Sequence, residues 1–208
     1  MSVSASFHFD LQSPLAYLAA ERVLHLLPGP AEWQPVLARE LPGVGERAAS
    51  EHGKAPGEET RGEDDLGAWR AEIARRAREL GLQPLRWPEP FPFDSELAMR
   101  AATYAKSIGR AVPFAQAAFR QAFAGGRDLA QADNVLIAGA ACEMHPAALL
   151  RGIELRSVAA QLSAATSAAA HANVRAVPAI VVDGVVFEGE QMIERAAAQM
   201  LAHGALAR

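Results

Sequence analysis

Few side chains in this sequence are placed to do chemistry, and the first are Ser13 and Pro14. Serine is a favoured helix N-cap because its oxygen accepts from an unpaired first-turn N–H. Proline suits the first helical position, whose N–H has no helical partner. A helix start also gathers free N–H groups and positive dipole charge, so it stabilises an anion set against it. A hydroxyl there can donate to a bound thiolate and lower the thiol's pKa. Ser13 is therefore a candidate catalytic residue as well as a cap, acting on a sulfur carried in by a small molecule. The second feature is Val177-Pro178, directly before an apolar run. Proline at that point either punctuates the entry to a strand or forms a cis bond with Val177.

Other reactive groups are sparse. Cys142 is the single cysteine, so this chain has neither a CxxC pair nor a cysteine-rich metal site. Flanked by Ala140, Ala141 and Met144, it reads as a small buried hydrophobe. The six histidines, at 8, 25, 52, 145, 171 and 203, show no metal-ligand spacing, so no metal is expected. His8 sits on the polar side of the first alternating segment near Ser13, and Tyr17 one turn after Ser13; structural roles suit both. No P-loop, GxGxxG or GxSxG pattern occurs.

The elements that position these groups follow from periodicity. Val3, Ala5, Phe7 and Phe9 alternate with Ser4, Ser6, His8 and Asp10, the period of a strand with at least one buried face. From Ser13 the period lengthens. Leu15, Leu18, Ala19, Val23, Leu26 and Leu27 share a helical face that ends at Pro28-Gly29-Pro30. Trp33 to Leu37 is a short apolar stretch that Pro35 demotes to an edge or irregular strand. This strand–helix–strand opening suits a parallel crossover. Residues 41 to 65, rich in Gly, Pro, Glu and Arg, read as a long surface loop, of the kind that often borders functional sites.

Residues 66 to 171 look helical almost throughout. The expected helices are 66 to 80, one capped by Asp94 or Ser95 after the Pro-rich stretch LQPLRWPEPFPF, then 114 to 123 with a core stripe of Phe114, Ala118, Phe119 and Phe123. Helices at 131 to 141 and a long alanine-rich run from Pro146 follow. Near the end, Ala179 to Val182 and Val185 to Phe187 flank Asp183-Gly184, a strong hairpin signal because the tight turn needs positive φ at both central residues. A last helix carries Met192, Ile193, Ala196, Ala197, Met200 and Leu201 on one face.

Composition sets outer limits. A 208-residue chain, half hydrophobic and 21% charged, suits one domain or one domain with another grown inside it. At net charge −4, with every basic residue an arginine except Lys54 and Lys106, nothing demands a nucleic-acid partner. The first ten residues, MSVSASFHFD, carry neither a basic n-region nor an apolar h-region. No apolar run approaches the length of a membrane span, so a cytoplasmic protein with no membrane partner is expected.

Together these features resemble the 2-hydroxychromene-2-carboxylate isomerase and kappa-class glutathione transferase family. FDLQSPLAYLA resembles its opening FDxxSPxxYLA, and VRAVPAIVVDGVVFEGEQMIERA resembles its ending VFGVPTFVVDGxxFWGQDRLxxL. FPFDSELAMRAATYAKSIG is similar to its Pro-rich link into NTLxAxRA, and AFRQAFAGGRDLAQADNVL to its xFRAxWxxGxDIxDxxVL. Only residues 41 to about 65 fall outside the resemblance. It implies an α/β, thioredoxin-like fold of the DsbA branch, β-α-β then β-β-α, with a large all-helical insertion. The corresponding domains are 1–62 with 172–208, and 63–171.

The resemblance places Ser13 on the serine that meets glutathione sulfur, and Val177 and Pro178 on the cis-proline dipeptide whose backbone pairs with glutathione's cysteinyl part. It implies glutathione as cofactor, a small aromatic or chromene-like substrate lying between the thioredoxin part and the insertion, and room for a homodimer. The implied chemistry is cis–trans isomerisation by reversible addition of the glutathione thiolate to an electron-poor double bond, or transfer of the same sulfur. The sequence departs from the family where it holds the γ-glutamyl amine. Gln191 stands in place of the aspartate, with Glu190 a carboxylate one position earlier; Glu188 replaces an aromatic and Met192 an arginine. Lys54 aligns with no family lysine. The other expectation is a thioredoxin-like protein that binds a different ligand or thiol carrier. A dithiol oxidoreductase is excluded, since Ser13-Pro14-Leu15-Ala16 contains no sulfur.

Overall fold

A computed structural model describes residues 4–43 and 63–206. The long loop read from residues 41 to 65, including Lys54, falls mostly outside them; Leu41 to Gly43 are described, with Leu41 buried, and residues 63 to 65 belong to a helix rather than to the loop. The alternating first segment forms β1 (Ala5–Phe9), followed by α1 (Pro14–Leu26) and β2 (Glu32–Pro35). β1 and β2 pair in parallel, with Phe7 opposite Trp33 and His8 opposite Gln34. The chain returns to the sheet in β3 (Ala179–Val182), which pairs antiparallel with β1, and in β4 (Val185–Glu188), which pairs antiparallel with β3. The strand order is β2-β1-β3-β4, a mixed four-stranded sheet. Pro35 is the last residue of the edge strand β2, where its missing N–H costs the ladder nothing. Asp183 and Gly184 join β3 to β4 with φ of 46° and 85°, the primed geometry that the turn demands.

Among the described residues, these α-helices lie between β2 and β3: α2 (Glu63–Glu79), α3 (Glu96–Ser107), α4 (Ala111–Phe123), α5 (Ala132–Ala140), α6 (Pro146–Glu154) and α7 (Arg156–His171). A final α8 (Met192–Leu206) packs on β3, β4 and α1. This is a thioredoxin-like fold of the DsbA kind with a helical insertion.

Three local expectations change. The run from Pro146 is two helices, because Leu155 takes extended φ/ψ of −63° and 127°; the break lets α6 and α7 both pack on α3, which one straight rod could not do. Of the two candidate caps before α3, Asp94 supplies the bond: its carboxylate accepts from the N–H of Glu96 at 3.0 Å, while the buried Ser95 side chain makes no cap bond. On α1, Leu15 and Leu26 are exposed, and the deeply buried side is Ala16, Tyr17, Ala20 and Val23.

The core explains the sheet's position. Phe7 and Phe9 meet Trp33 edge-on at 5.0 and 5.8 Å, and Phe9 meets Phe119 of α4 at 5.8 Å. Tyr17 continues this aromatic layer onto Phe123 at 5.7 Å. Behind the sheet, Ala179 joins Val36, Leu41, Ala169 of α7 and Val174 in a second apolar cluster. With helices on both sides, the polar alternates of β1 are not a solvated face. His8 and Asp10 are both buried.

Candidate functional site

The register of the central strands brings the two candidate dipeptides to one end of the sheet. His8 lies opposite Ala179, so Pro178 and Val177 precede β3 at the end of β1 from which the chain turns into α1. That turn is held by Asp10. Its backbone carbonyl accepts from the N–H of Ser13 at 3.0 Å, and its carboxylate accepts from the N–H groups of Gln12 at 3.1 Å and Ala38 at 2.9 Å. Burial pushes the Asp10 carboxyl above its ordinary pKa against these donors.

Ser13 caps α1 from extended backbone, accepting from the N–H of Ala16 at 3.2 Å, with Pro14 in the first helical position. Because its oxygen accepts that bond, the hydroxyl proton stays available to a ligand. Ser13 is half-buried.

Val177–Pro178 is a cis peptide. The segment before it is tied down by Glu188, whose Oε1 accepts from the N–H groups of Arg175 at 2.7 Å and Ala176 at 2.9 Å. Gly43 N–H donates to the Arg175 carbonyl at 2.8 Å on the other side. The backbone of Val177 has no partner among the described residues, so it can still bond a ligand. Glu188, read from sequence only as a departure from an aromatic, thus acts as a clamp behind the cis bond.

Between α1, α2, the cis dipeptide and the turn into α8 lies a cleft of about 260 Å³. Leu15, Leu18, Ala19, Leu80, Met192 and Ile193 make its apolar walls, and Val177, Pro178, Glu190 and Gln191 line it too. Four of the five residues singled out from sequence therefore share one cavity, with Ser13 heading the helix that forms its wall. Glu190 and Gln191 sit on a tight turn in which Gly189 and Gln191 have φ of 77° and 57°.

The structure adds charges that sequence reading missed. Arg76 of α2 reaches across the cleft to Glu190 at 2.7 Å, and its Nε donates to Glu72 at 2.8 Å. Arg22 of α1 is paired with Glu194 of α8. The only local signal for Arg22 was its place seven residues after Leu15, on the same helical stripe; for Arg76 there was none.

The remaining candidates lie elsewhere. His8 is not a cleft residue. Its Nε2 pairs with Ser6 Oγ at 2.9 Å, its Nδ1 is buried without a partner, and burial lowers its pKa to about 4. Tyr17 packs in the aromatic layer, and burial raises its phenol pKa. Cys142 is buried, which pushes its thiol up. No helix among the described residues is long and apolar enough to cross a membrane.

Comparison with known proteins gives a consistent result. The description "DSBA-like thioredoxin domain" matches residues 5–201. A solved 2-hydroxychromene-2-carboxylate isomerase superposes with a TM-score of 0.78 at 17% identity, over 98% of this chain and 96% of that one. The cytosolic disulfide reductase DsbM from Pseudomonas aeruginosa, solved with GSH, superposes with a TM-score of 0.62 at 12% identity, over 99% of each chain. DsbA from the same organism gives 0.57 at 15% identity, over 99% of this chain and 86% of that one. At these identities the likeness establishes the fold. No curated protein matches the sequence.

Proposed function

The chain belongs to the DsbA-like thioredoxin domain family, and on that premise we propose that it is a glutathione-dependent isomerase or transferase of the 2-hydroxychromene-2-carboxylate isomerase type. The observation that carries this reading is a serine hydroxyl at the N-terminus of α1, at the same end of the sheet as a cis-proline preceded by Val177, whose backbone pairs with no described residue. A disulfide-exchanging protein needs a sulfur in that window, and residues 13 to 16 have none.

The residues present fit a thiol tripeptide. Val177 offers a free backbone for strand-like pairing, and the Gln191 amide can bond the γ-glutamyl end. Leu15 and Leu18 form an apolar wall that keeps water from the sulfur. Bound glutathione supplies a sulfur able to add to, and leave, an electron-poor double bond. Ser13 holds that sulfur as the anion by donating its hydroxyl proton, and the positive end of α1 adds to the same effect. A planar, aromatic or chromene-like substrate enters from the insertion side of the cleft, where α2 forms the wall.

Calorimetric titration with reduced glutathione tests this, on the wild type, Ser13→Ala and Ser13→Gly. Glycine is tolerated at a helix N-cap at little cost and carries no side-chain donor. A hydrogen bond to a charged group is worth about 1.5–3 kcal/mol, so both variants should bind glutathione roughly tenfold or more weakly, and the thiolate absorbance of the bound sulfur should fall. Equal binding and equal thiolate fraction in all three proteins would refute the role given to Ser13. The replacement of the family's aspartate by Gln191 favours the second reading, a cleft that serves another thiol carrier. Its signature is no saturable glutathione binding by the wild type.

A further inference from the structure

We propose that Arg76 is the carboxylate-binding residue of the cleft and that Glu190 is its internal counter-ion, which an anionic thiol ligand must displace. The proposal rests on the thiol-binding reading of the cleft and goes beyond it by assigning a specificity residue on the insertion, outside the motifs.

The geometry of Arg76 points to this role. Its guanidinium is oriented from its own helix by Glu72, one turn earlier, whose Oε1 accepts from Nε at 2.8 Å. Glu72 is held strongly ionised, its pKa lowered to about 2 by Arg75 and Arg76. With Nε engaged, the Nη1–Nη2 edge remains, the side of a guanidinium that meets a carboxylate with two parallel bonds. Nη2 now donates to Glu190 at 2.7 Å, and Nη1 donates to no described residue. Arg76 and Glu190 line the same cleft as Val177, Pro178 and Gln191.

Glu190 is built to leave. Its side chain is 78% exposed, it stands on a turn between two residues of positive φ, and among the described residues it bonds only Arg76. An exposed, singly bonded pair of this kind is weak, so a ligand carboxylate that makes two bonds to the fork can replace it. The other cleft charges are answered from outside the cleft lining: Arg22 of α1 by Glu194 of α8, and Glu79 by Arg75 of its own helix. Arg76 is thus the cleft cation whose partner itself lines the cavity and can swing away into water. Assigning Glu190 to a ligand ammonium instead would strand Arg76 and predicts the opposite response to Glu190→Gln.

The test compares reduced glutathione with its diethyl ester, which lacks both carboxylates, by calorimetry on the wild type, Arg76→Gln and Glu190→Gln. We expect glutathione to bind the wild type more tightly than the ester, and Arg76→Gln to weaken glutathione about tenfold while leaving the ester unchanged. Glu190→Gln should tighten glutathione up to about fivefold, the worth of the lost competitor. Unchanged glutathione binding in Arg76→Gln, or weaker binding in Glu190→Gln, would overturn the proposal. Failure of the glutathione reading is separate: the wild type then binds neither probe. In that case the Arg76 Nε–H resonance, followed by NMR with 3-mercaptopropionate and with 2-mercaptoethanol, decides. A shift with the carboxylate alone upholds the role of Arg76, and no shift with either ends it.

Discussion

Replacing His8 by phenylalanine should make the protein markedly less sensitive to acid. The His8 ring is 8% exposed, between Gln34 on β2 and Ala179 on β3, with Lys106 of α3 and Glu32 of β2 the charges that act on it. Burial, aided by the Lys106 cation, lowers its pKa from 6.5 to about 4. The folded protein therefore keeps His8 neutral over a range in which the unfolded chain takes up a proton. Stability contributed by the neutral ring is whole above pH 6.5 and falls as pH drops toward 4. The full shift corresponds to about 3 kcal/mol, of which about 2 kcal/mol is lost by pH 5. Asp10, whose carboxyl is pushed up by burial, works in the opposite direction over part of this range: its contribution is present below the unfolded pKa and lost as pH rises. It is common to both proteins and cancels in the difference.

Phenylalanine keeps a ring of similar shape and removes the unpartnered Nδ1; it also removes the bond to Ser6 Oγ, at a cost of about 1 kcal/mol. At pH 8 the two proteins should thus be within about 1 kcal/mol of each other. Urea unfolding at pH 8, 7, 6 and 5 reads the rest. By pH 5 the variant should have gained about 2 kcal/mol on the wild type, roughly a 1 M difference in midpoint at ordinary m-values. His8→Gln, which also cannot titrate, should show the same relative slope if the phenylalanine packs poorly. Parallel pH–stability curves for the wild type and both variants would refute the argument, because they would mean that His8 titrates alike in the folded and unfolded chains.

Gly152→Ala should destabilise the protein by about 1–3 kcal/mol, since the new Cβ would stand 2.4 Å from Tyr104 Cγ where α6 crosses α3; thermal unfolding measures it. Asp94→Ala should cost about 1 kcal/mol by leaving the Glu96 N–H without its cap, read by the same thermal unfolding. Glu188→Ala should weaken glutathione binding through the cis dipeptide it clamps while leaving the cleft side chains in place; an unchanged Kd would dismiss the clamp. Cys142 should react with an aromatic disulfide reagent only at the rate of unfolding, since its thiol is buried and its pKa raised; rapid native-state labelling would contradict that.

Local chemistry made much of the framework legible. Period-two alternation marks β1, Asp183-Gly184 fixes a hairpin because few residue pairs accept positive φ twice, and Ser13-Pro14 starts a helix whatever surrounds it. Those signals place Ser13, Val177, Pro178, Glu190 and Gln191 in order along the chain, and the DsbA-like fold carries four of them into one cleft. Other features have no local cause. Leu155 breaks a helix without glycine or proline because α6 and α7 must both reach α3. His8 and Asp10 look like a solvated strand face until helices close over it. Arg76 and Glu190 are 114 residues apart; Arg76 alone reads as a surface charge, and nothing beside Glu190 in the chain names its partner. Backbone preferences act over a few residues and can be read in the sequence. Which charge meets which across a cavity depends on how distant elements pack, and only the folded chain decides it.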